Sequence, residues 1–177
     1  MMPSMTFVER MIGAARLDIA TYEEVEADRD ATGQALGVVV LAALAAGIGS
    51  FHMGVAGLIG GALAGIISWV VWAWLIWLIG TKWLREEQTS SDTGELLRTL
   101  GFAASPGLLR VLGLLPLLGG VVFAATSIWM LVTVVVAVRQ ALDLRSTGRA
   151  IIICLIGWVL HVAIFIGLLR LLRWGSM

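Results

Sequence analysis

From Ala31 onward the chain is a succession of long apolar runs separated by short polar breaks, while before Ala31 apolar and charged residues alternate with no continuous apolar run. Crossing about 30 Å of hydrocarbon takes roughly 20 apolar residues in an α-helix. On that scale the pattern predicts five spans, near 33–50, 54–81, 96–117, 120–142 and 148–170. The second is longer than a perpendicular span requires, so tilt or an extension beyond the hydrocarbon is expected. Ser50, Phe51 and His52 read as a tight turn, as do Leu118, Gly119 and Gly120. The longest polar stretch, 85–94, is a loop, and Asp92 with Glu95 offers the next helix start. Residues 143–149 form a short polar loop in which Ser146 or Thr147 can cap the last helix. The fold class is therefore an all-α integral membrane protein, a five-helix transmembrane bundle over residues 31–177. Merging the tight turns gives a four-span arrangement, which stays open.

Residues 1–30 read as short helices on the cytoplasmic or interfacial side. Phe7, Val8, Met11, Ile12 and Ala15 recur at helical spacing, with Glu9, Arg10 and Arg16 opposite. Such a stripe fits the headgroup region or the polar ends of the chain's own helices equally well. Thr21 with Glu24 forms a second helix start of the capping-box kind. The segment carries Glu9, Asp18, Glu23, Glu24, Glu26, Asp28 and Asp30 and has no continuous apolar core, so it is not a secretory signal and should be retained.

Composition agrees with a membrane protein: 59% of residues are hydrophobic and 14% charged, too little polar surface to cover a soluble globule. The net charge is zero with no basic block, which excludes nucleic acid as an expected partner. Cys154 stands alone in an apolar run, leaving neither an intrachain disulfide nor a multi-cysteine metal site, and reads as a packing residue. With the N-terminus inside, Arg10, Arg16, Arg29, Lys82, Arg85, Arg98, Arg139, Arg145 and Arg149 are cytoplasmic, and only Arg110, Arg170 and Arg173 lie outside. That is a positive-inside bias. All 12 acids fall on the same inner side. No acid lies inside a predicted span and no HExxH, GxSxG or phosphate-binding Gly-Lys pattern occurs, so no enzyme, cofactor or metal site is expected.

Four features within the spans carry chemistry or packing. Gly57, Gly61 and Gly65 lie along one face of the second span, and Gly33 and Gly37 begin a similar stripe in the first. Small residues at this spacing let helices approach closely, either these two or two copies of the chain. Trp69, Trp72, Trp74, Trp77 and Trp83 crowd the second span for packing or lipid contact, Trp83 suiting the interface. Ser105-Pro106-Gly107 predicts a kink near 103–107, a packing feature or the wall of a cavity. Arg110 follows it, and His161 stands at a similar level in the last span. Together with Ser105 and Pro106 they form a candidate polar pocket; alternatively the arginine snorkels and the histidine satisfies itself on a carbonyl. Arg139 and Asp143, four apart, are placed for a local ion pair.

Three stretches together resemble one family. They are Phe7-Val8-Glu9-Arg10, Gly13-Ala14, Leu17-Asp18 and Thr21 to Asp28; then Gly94 to Gly107, including Gly101-Phe102 and Pro106; then Ala137 to Asp143 with Thr147 to Ala150. The combination is similar to the YIP (Ypt-interacting protein) family of membrane proteins, in its bacterial form. The resemblance covers nearly the whole chain. It implies a compact five-helix membrane domain with a cytosolic N-terminus and no catalytic residues. Eukaryotic relatives bind small GTPases of the Ypt/Rab kind and act in vesicle trafficking and membrane shaping. Their long cytosolic N-terminal region is largely missing here, which weighs against small-GTPase binding.

The expectation is a non-enzymatic multi-pass scaffold or adaptor in a bacterial inner membrane, N-terminus cytoplasmic and C-terminus outside. Its partners would be membrane lipids and other membrane proteins or itself, met through Phe7, Arg10, Tyr22, Glu23, Glu24 and Glu26. The alternative is a small transporter or channel for an anionic or lipid-headgroup ligand, using the kinked third span.

Overall fold

The structure is a computed structural model that describes residues 5–49, 54–115 and 117–174, without the side chains of 168, 169 and 171–174. The expected turn at Ser50–His52 falls outside the described residues, as do Pro116 and the side chain of Arg173. Described residues form helices and no strands. They are α1 (Phe7–Ala15), α2 (Ile19–Ala27), α3 (Ala31–Gly49), α4 (Val55–Leu78), α5 (Thr93–Ala103), α6 (Gly119–Ala141) and α7 (Thr147–Trp174). A π-turn, Ile79–Trp83, extends α4, and a 3₁₀ helix, Ser105–Leu114, follows α5.

Among the described residues four helices are long and apolar enough to cross a membrane: Ala31–Gly49, Val55–Trp83, Gly119–Ala141 and Thr147–Gly167. The count of five does not emerge on that criterion. The segment read as a third continuous span is split, because α5 stops at Ala103 and continues as a 3₁₀ helix. Pro106 supplies no N–H, and the change of helix type falls where the kink was expected. Ten 3₁₀ residues are long for this form. At about 2.0 Å per residue they cover roughly 20 Å, and α5 adds roughly 16 Å.

This composite segment tracks α3 from end to end. A Cβ at Gly101 would lie 2.7 Å from Ala35 Cβ, one at Gly107 would lie 3.1 Å from Ala42 Cβ, and one at Gly49 would lie 1.9 Å from the Arg110 carbonyl oxygen. Both chains therefore advance together, and the contact of α3 with the 3₁₀ helix is the most extensive in the molecule. The break is itself tied: Thr133 Oγ1, fully buried on α6, donates to the Ala103 carbonyl at 2.7 Å, and Ser105 Oγ donates to the Phe102 carbonyl at 2.6 Å.

Caps and turns differ from the sequence reading in instructive ways. Thr6 and Glu9 form the capping box of α1, and Asp92 with Glu95 forms that of α5, as expected for the latter. Helix α2 instead starts at Asp18, whose side chain accepts from the Ala20 N–H; Thr21 lies inside the helix and donates to Asp18. Glu24 is drawn away to Arg10, so the Thr21–Glu24 box does not form. The turn before α6 falls earlier than Leu118–Gly120, with Leu117 at φ 70°, because Gly119 serves close approach: a Cβ there would lie 3.2 Å from the Gly113 carbonyl oxygen. Helix α6 ends with Asp143 at φ 51°, the Leu144 N–H donating to the Arg139 carbonyl and the Asp143 N–H to that of Gln140. This is a Schellman turn. Among the described residues Arg139 does not pair with Asp143; its Nε donates to the Leu144 carbonyl at 3.5 Å.

The packed core lies toward the polar end of the bundle, where Val25, Ala35, Ile76, Ile79, Leu96, Phe102, Val138, Leu142 and Ile153 are buried. Farther along, Val55, Ile59, Leu63 and Ile67 on α4 and Leu155, Val159 and Phe165 on α7 are exposed apolar side chains. Such a surface requires lipid around it, and the protein is an integral membrane protein.

Candidate functional site

The N-terminal hairpin is the first constellation. Its two helices are not an appendage beside the bundle but part of its flank. Arg10, 2% exposed, donates from Nη2 to Glu24 at 2.7 Å and Asp28 at 2.6 Å, from Nε to Glu24 at 2.9 Å, and from Nη1 to Gln34 at the start of α3. One guanidinium thus fastens α1 to α2 and α3. Hydrogen bonding to Glu24 first, and to Asp28, holds the Arg10 pKa up; the Arg10 hydrogen bond in turn holds the Asp28 carboxyl below its ordinary range. Arg98, 5% exposed on α5, caps the C-terminal end of α2: its Nε donates to the Val25 and Glu26 carbonyls at 3.0 and 3.1 Å, and its Nη2 also reaches Glu26. A cation at a helix C-terminus is the favourable arrangement for both the free carbonyls and the helix dipole.

Tyr22 is fully buried and donates to the Ala14 carbonyl at 3.0 Å and toward the Thr133 carbonyl at 3.4 Å. Burial raises its hydroxyl pKa. Phe7 packs edge-on against Phe102, ring centroids 6.3 Å apart, and Trp129 on α6 donates to the Ala15 carbonyl at 2.8 Å. Of the sequence-derived partner surface, Phe7, Arg10 and Tyr22 therefore face the protein itself, with Glu24 held by Arg10. Glu23 is exposed. The apolar stripe divides: Phe7 and Met11 pack on the core, while Val8 and Ile12, with Ile19 of α2, are 59, 46 and 46% exposed. Beside them a shallow groove of about 860 Å³ is lined by Met5, Thr6, Glu9, Ile12, Arg16 and Thr21, among others.

Glu26 is half-buried where α2 meets α5 and the end of α6. Burial pushes its carboxyl up to about 7, and the neighbouring Glu95, Asp143 and Glu23 add to the rise while Arg98 opposes it. On the same polar end Glu86 pairs with Arg149 at 2.6 Å, and that bond holds the Glu86 carboxyl below its usual range.

The second constellation lies within the spans. Arg110 of the 3₁₀ helix donates from Nη2 to Ser127 Oγ at 2.9 Å and from Nε to Thr126 Oγ1 at 3.3 Å, and its guanidinium stands 4.2 Å from the Phe123 ring centroid. His161 has separate partners: Nε2 is 3.1 Å from Ser68 Oγ on α4, the ring meets Trp72 edge-on at 5.8 Å, and Nδ1 is buried without a hydrogen-bond partner among the described residues. Arg110 and His161 share none of these contacts, and Ser105 and Pro106 are buried with Ser105 bonded to its own turn. The four residues stand at three places rather than around one pocket.

The glycines divide as well. Gly65 meets Ala43, a Cβ there lying 3.3 Å from that of Ala43, and Gly37 touches the edge of Phe7 at 3.9 Å. A Cβ at Gly33 or Gly61 would meet nothing within 4 Å, and Gly57 is half-buried. Closer approaches occur at Gly49, Gly101 and Gly107, at Gly47, where a Cβ would meet Leu58 of α4 at 2.6 Å, and at Gly80, where one would meet Leu142 at 2.4 Å, among others. Trp69 and Trp77 donate to the Leu97 and Ser91 carbonyls, whereas Trp74 and Trp83 are exposed. Arg98 and Thr133 are site residues that the sequence reading did not single out. Arg98 was counted only as an inner charge, and nothing local marks a threonine that serves a carbonyl on another helix.

A family model, the Yip1 domain, matches residues 19–169. No curated protein matches the chain, and neither does any solved structure.

Proposed function

Since the chain belongs to the Yip1 domain family of membrane proteins, we propose that it is a non-enzymatic multi-pass scaffold that engages other membrane proteins or lipid through its N-terminal hairpin. The observation that carries this reading is the hairpin's division of labour. Arg10 and Arg98 fix α1 and α2 rigidly to the bundle, and that fixed platform turns Val8, Ile12 and Ile19 outward beside Glu9 and Glu23. An exposed apolar strip on a preorganised support binds at a low ordering cost. The hydrated end that carries all 12 acids is then the working face, on the cytoplasmic side of a bacterial inner membrane. Five crossings, N-terminus in and C-terminus out, fit the arginine and lysine distribution and the way α5 with its 3₁₀ extension runs the length of α3.

A photo-crosslinking amino acid at Val8 or Ile12, with one at the lipid-facing Leu155 as control, tests the surface in native membranes. Discrete protein adducts at Val8 and Ile12, absent at Leu155, are expected. Adducts to lipid alone at all three positions would remove the protein-binding part of the reading.

A further inference from the structure

Arg110 is a charge that no acidic side chain among the described residues neutralises. Every acid in the sequence lies at residues 9–30, 86–95 or 143, at the end of the bundle where α3 begins. Arg110 lies where α3 ends, its carbonyl against Gly49. Nor does its side chain escape toward the nearer end. Gly113 and Gly119 adjoin there, placing the Arg110 backbone about 6 Å in along the 3₁₀ helix. Thr126 and Ser127, which receive its N–H groups, stand about 10–12 Å along α6 from Gly119. The guanidinium is therefore drawn inward, the reverse of snorkelling. Around it the exposed side chains are apolar: Leu109, Val111, Leu112, Val121 and Phe123.

Both hydroxyls are already committed as donors, Thr126 Oγ1 to the Val122 carbonyl at 2.8 Å and Ser127 Oγ to that of Phe123 at 2.7 Å. They can hold the guanidinium in place but cannot balance its charge. Two of the five guanidinium N–H donors are used, and the remaining ones have no acceptor among the described residues. A fixed planar fork with spare donors suits a tetrahedral oxyanion. Phe123, on whose face the guanidinium rests, is 48% exposed and Arg110 is itself only half-buried, so the site opens to the outside of the bundle rather than to its interior.

We propose that Arg110, oriented by Thr126 and Ser127, binds the phosphate group of an anionic phospholipid. This goes beyond the scaffold reading and stands independently of what the hairpin binds. The test uses the full chain in a mild neutral detergent, with thermal unfolding followed during titration with phosphatidylglycerol and, separately, with inorganic phosphate. Phosphatidylglycerol should stabilise the protein, and Arg110→Gln should weaken its apparent affinity about tenfold or more, since a charge-assisted hydrogen bond contributes about 1.5–3 kcal/mol. Arg110→Lys should retain part of the effect. Equal titrations for wild type and Arg110→Gln would overturn the site. Stabilisation by inorganic phosphate at the same concentrations would overturn the lipid assignment and leave a free-anion site. Should Arg110→Gln not fold, Thr126→Val with Ser127→Ala frees the guanidinium and should weaken lipid binding severalfold; an unchanged titration there counts against the proposal.

Discussion

Alanine at Gly101 and alanine at Gly61 add the same methyl group to two membrane helices, and the structure assigns them opposite outcomes. At Gly101 the new carbon would stand 2.7 Å from Ala35 Cβ, 3.0 Å from its carbonyl oxygen and 3.1 Å from its carbonyl carbon. Two of those atoms are backbone, and carbon contacts settle near 3.5–4.0 Å, so α3 and α5 must part by most of an ångström. Overpacking of this kind costs about 1–3 kcal/mol. At Gly61 nothing lies within 4 Å, and alanine gains about 0.8–1 kcal/mol of helix propensity. Both glycines are helical, so that gain is common to the two variants, which should therefore differ by the overpacking cost of about 1–3 kcal/mol, at least about fivefold in the unfolding equilibrium. Reversible unfolding by sodium dodecyl sulfate in mixed micelles measures it. Tryptophan fluorescence is a suitable probe because Trp69 reports on the Leu97 carbonyl of α5. Should Gly61→Ala lose as much as Gly101→Ala, the seam between α3 and α5 would not be the one that holds the bundle.

Three further outcomes follow from the hairpin and the topology. Arg10→Met leaves Glu24 and Asp28 without their partner and should cost about 3 kcal/mol, the scale for breaking a buried pair, seen as faster hydrogen exchange in α1 and α2 while α6 is unchanged. Glu26 has a carboxyl pKa of about 7 in the fold, above the ordinary 4.5, so the fold binds its proton more tightly than the unfolded hairpin does. Docking should therefore weaken as pH rises from about 4.5 to 7 and level off above; Glu26→Gln should abolish that slope in hydrogen exchange, and a slope left intact would refute the assignment. In a Cys154→Ser background, an impermeant maleimide should label Arg170→Cys but not Glu87→Cys in intact cells, and the reverse pattern would invert the topology.

The helices were legible because a span advertises itself through length and apolar content, and the kink through Pro106. The glycine stripe of α4 was legible only in part: Gly65 meets Ala43 on α3, while a Cβ at Gly61 would meet nothing within 4 Å. Small residues permit close approach, but a helix does not record which neighbour has come near, and Gly101 and Gly107 lie in segments whose register against α3 depends on the whole bundle. Periodicity likewise placed Phe7 and Ile12 in one stripe, although Phe7 packs partly buried on the core and Ile12 is exposed. Arg10 was marked as polar by its position opposite that stripe. Its burial became visible only once Glu24 and Asp28 of α2 and its cap, and Gln34 of α3, were brought around it. Arg110 stood out from its apolar surroundings, but its partners were hydroxyls on α6, which sequence spacing alone cannot connect to it.

The hairpin's attachment also has a consequence in time. Tyr22 donates to a carbonyl 111 residues later, and Ala15 accepts from Trp129, 114 residues away. Ribosomes add about 5–20 residues each second, so roughly 6–20 s pass between synthesis of the hairpin and synthesis of the helix that receives it. During that interval Arg10, Glu24 and Asp28 stay in water and Phe7 and Tyr22 stay uncovered. The hairpin is made well before the helix that receives it and docks only once that helix has arrived.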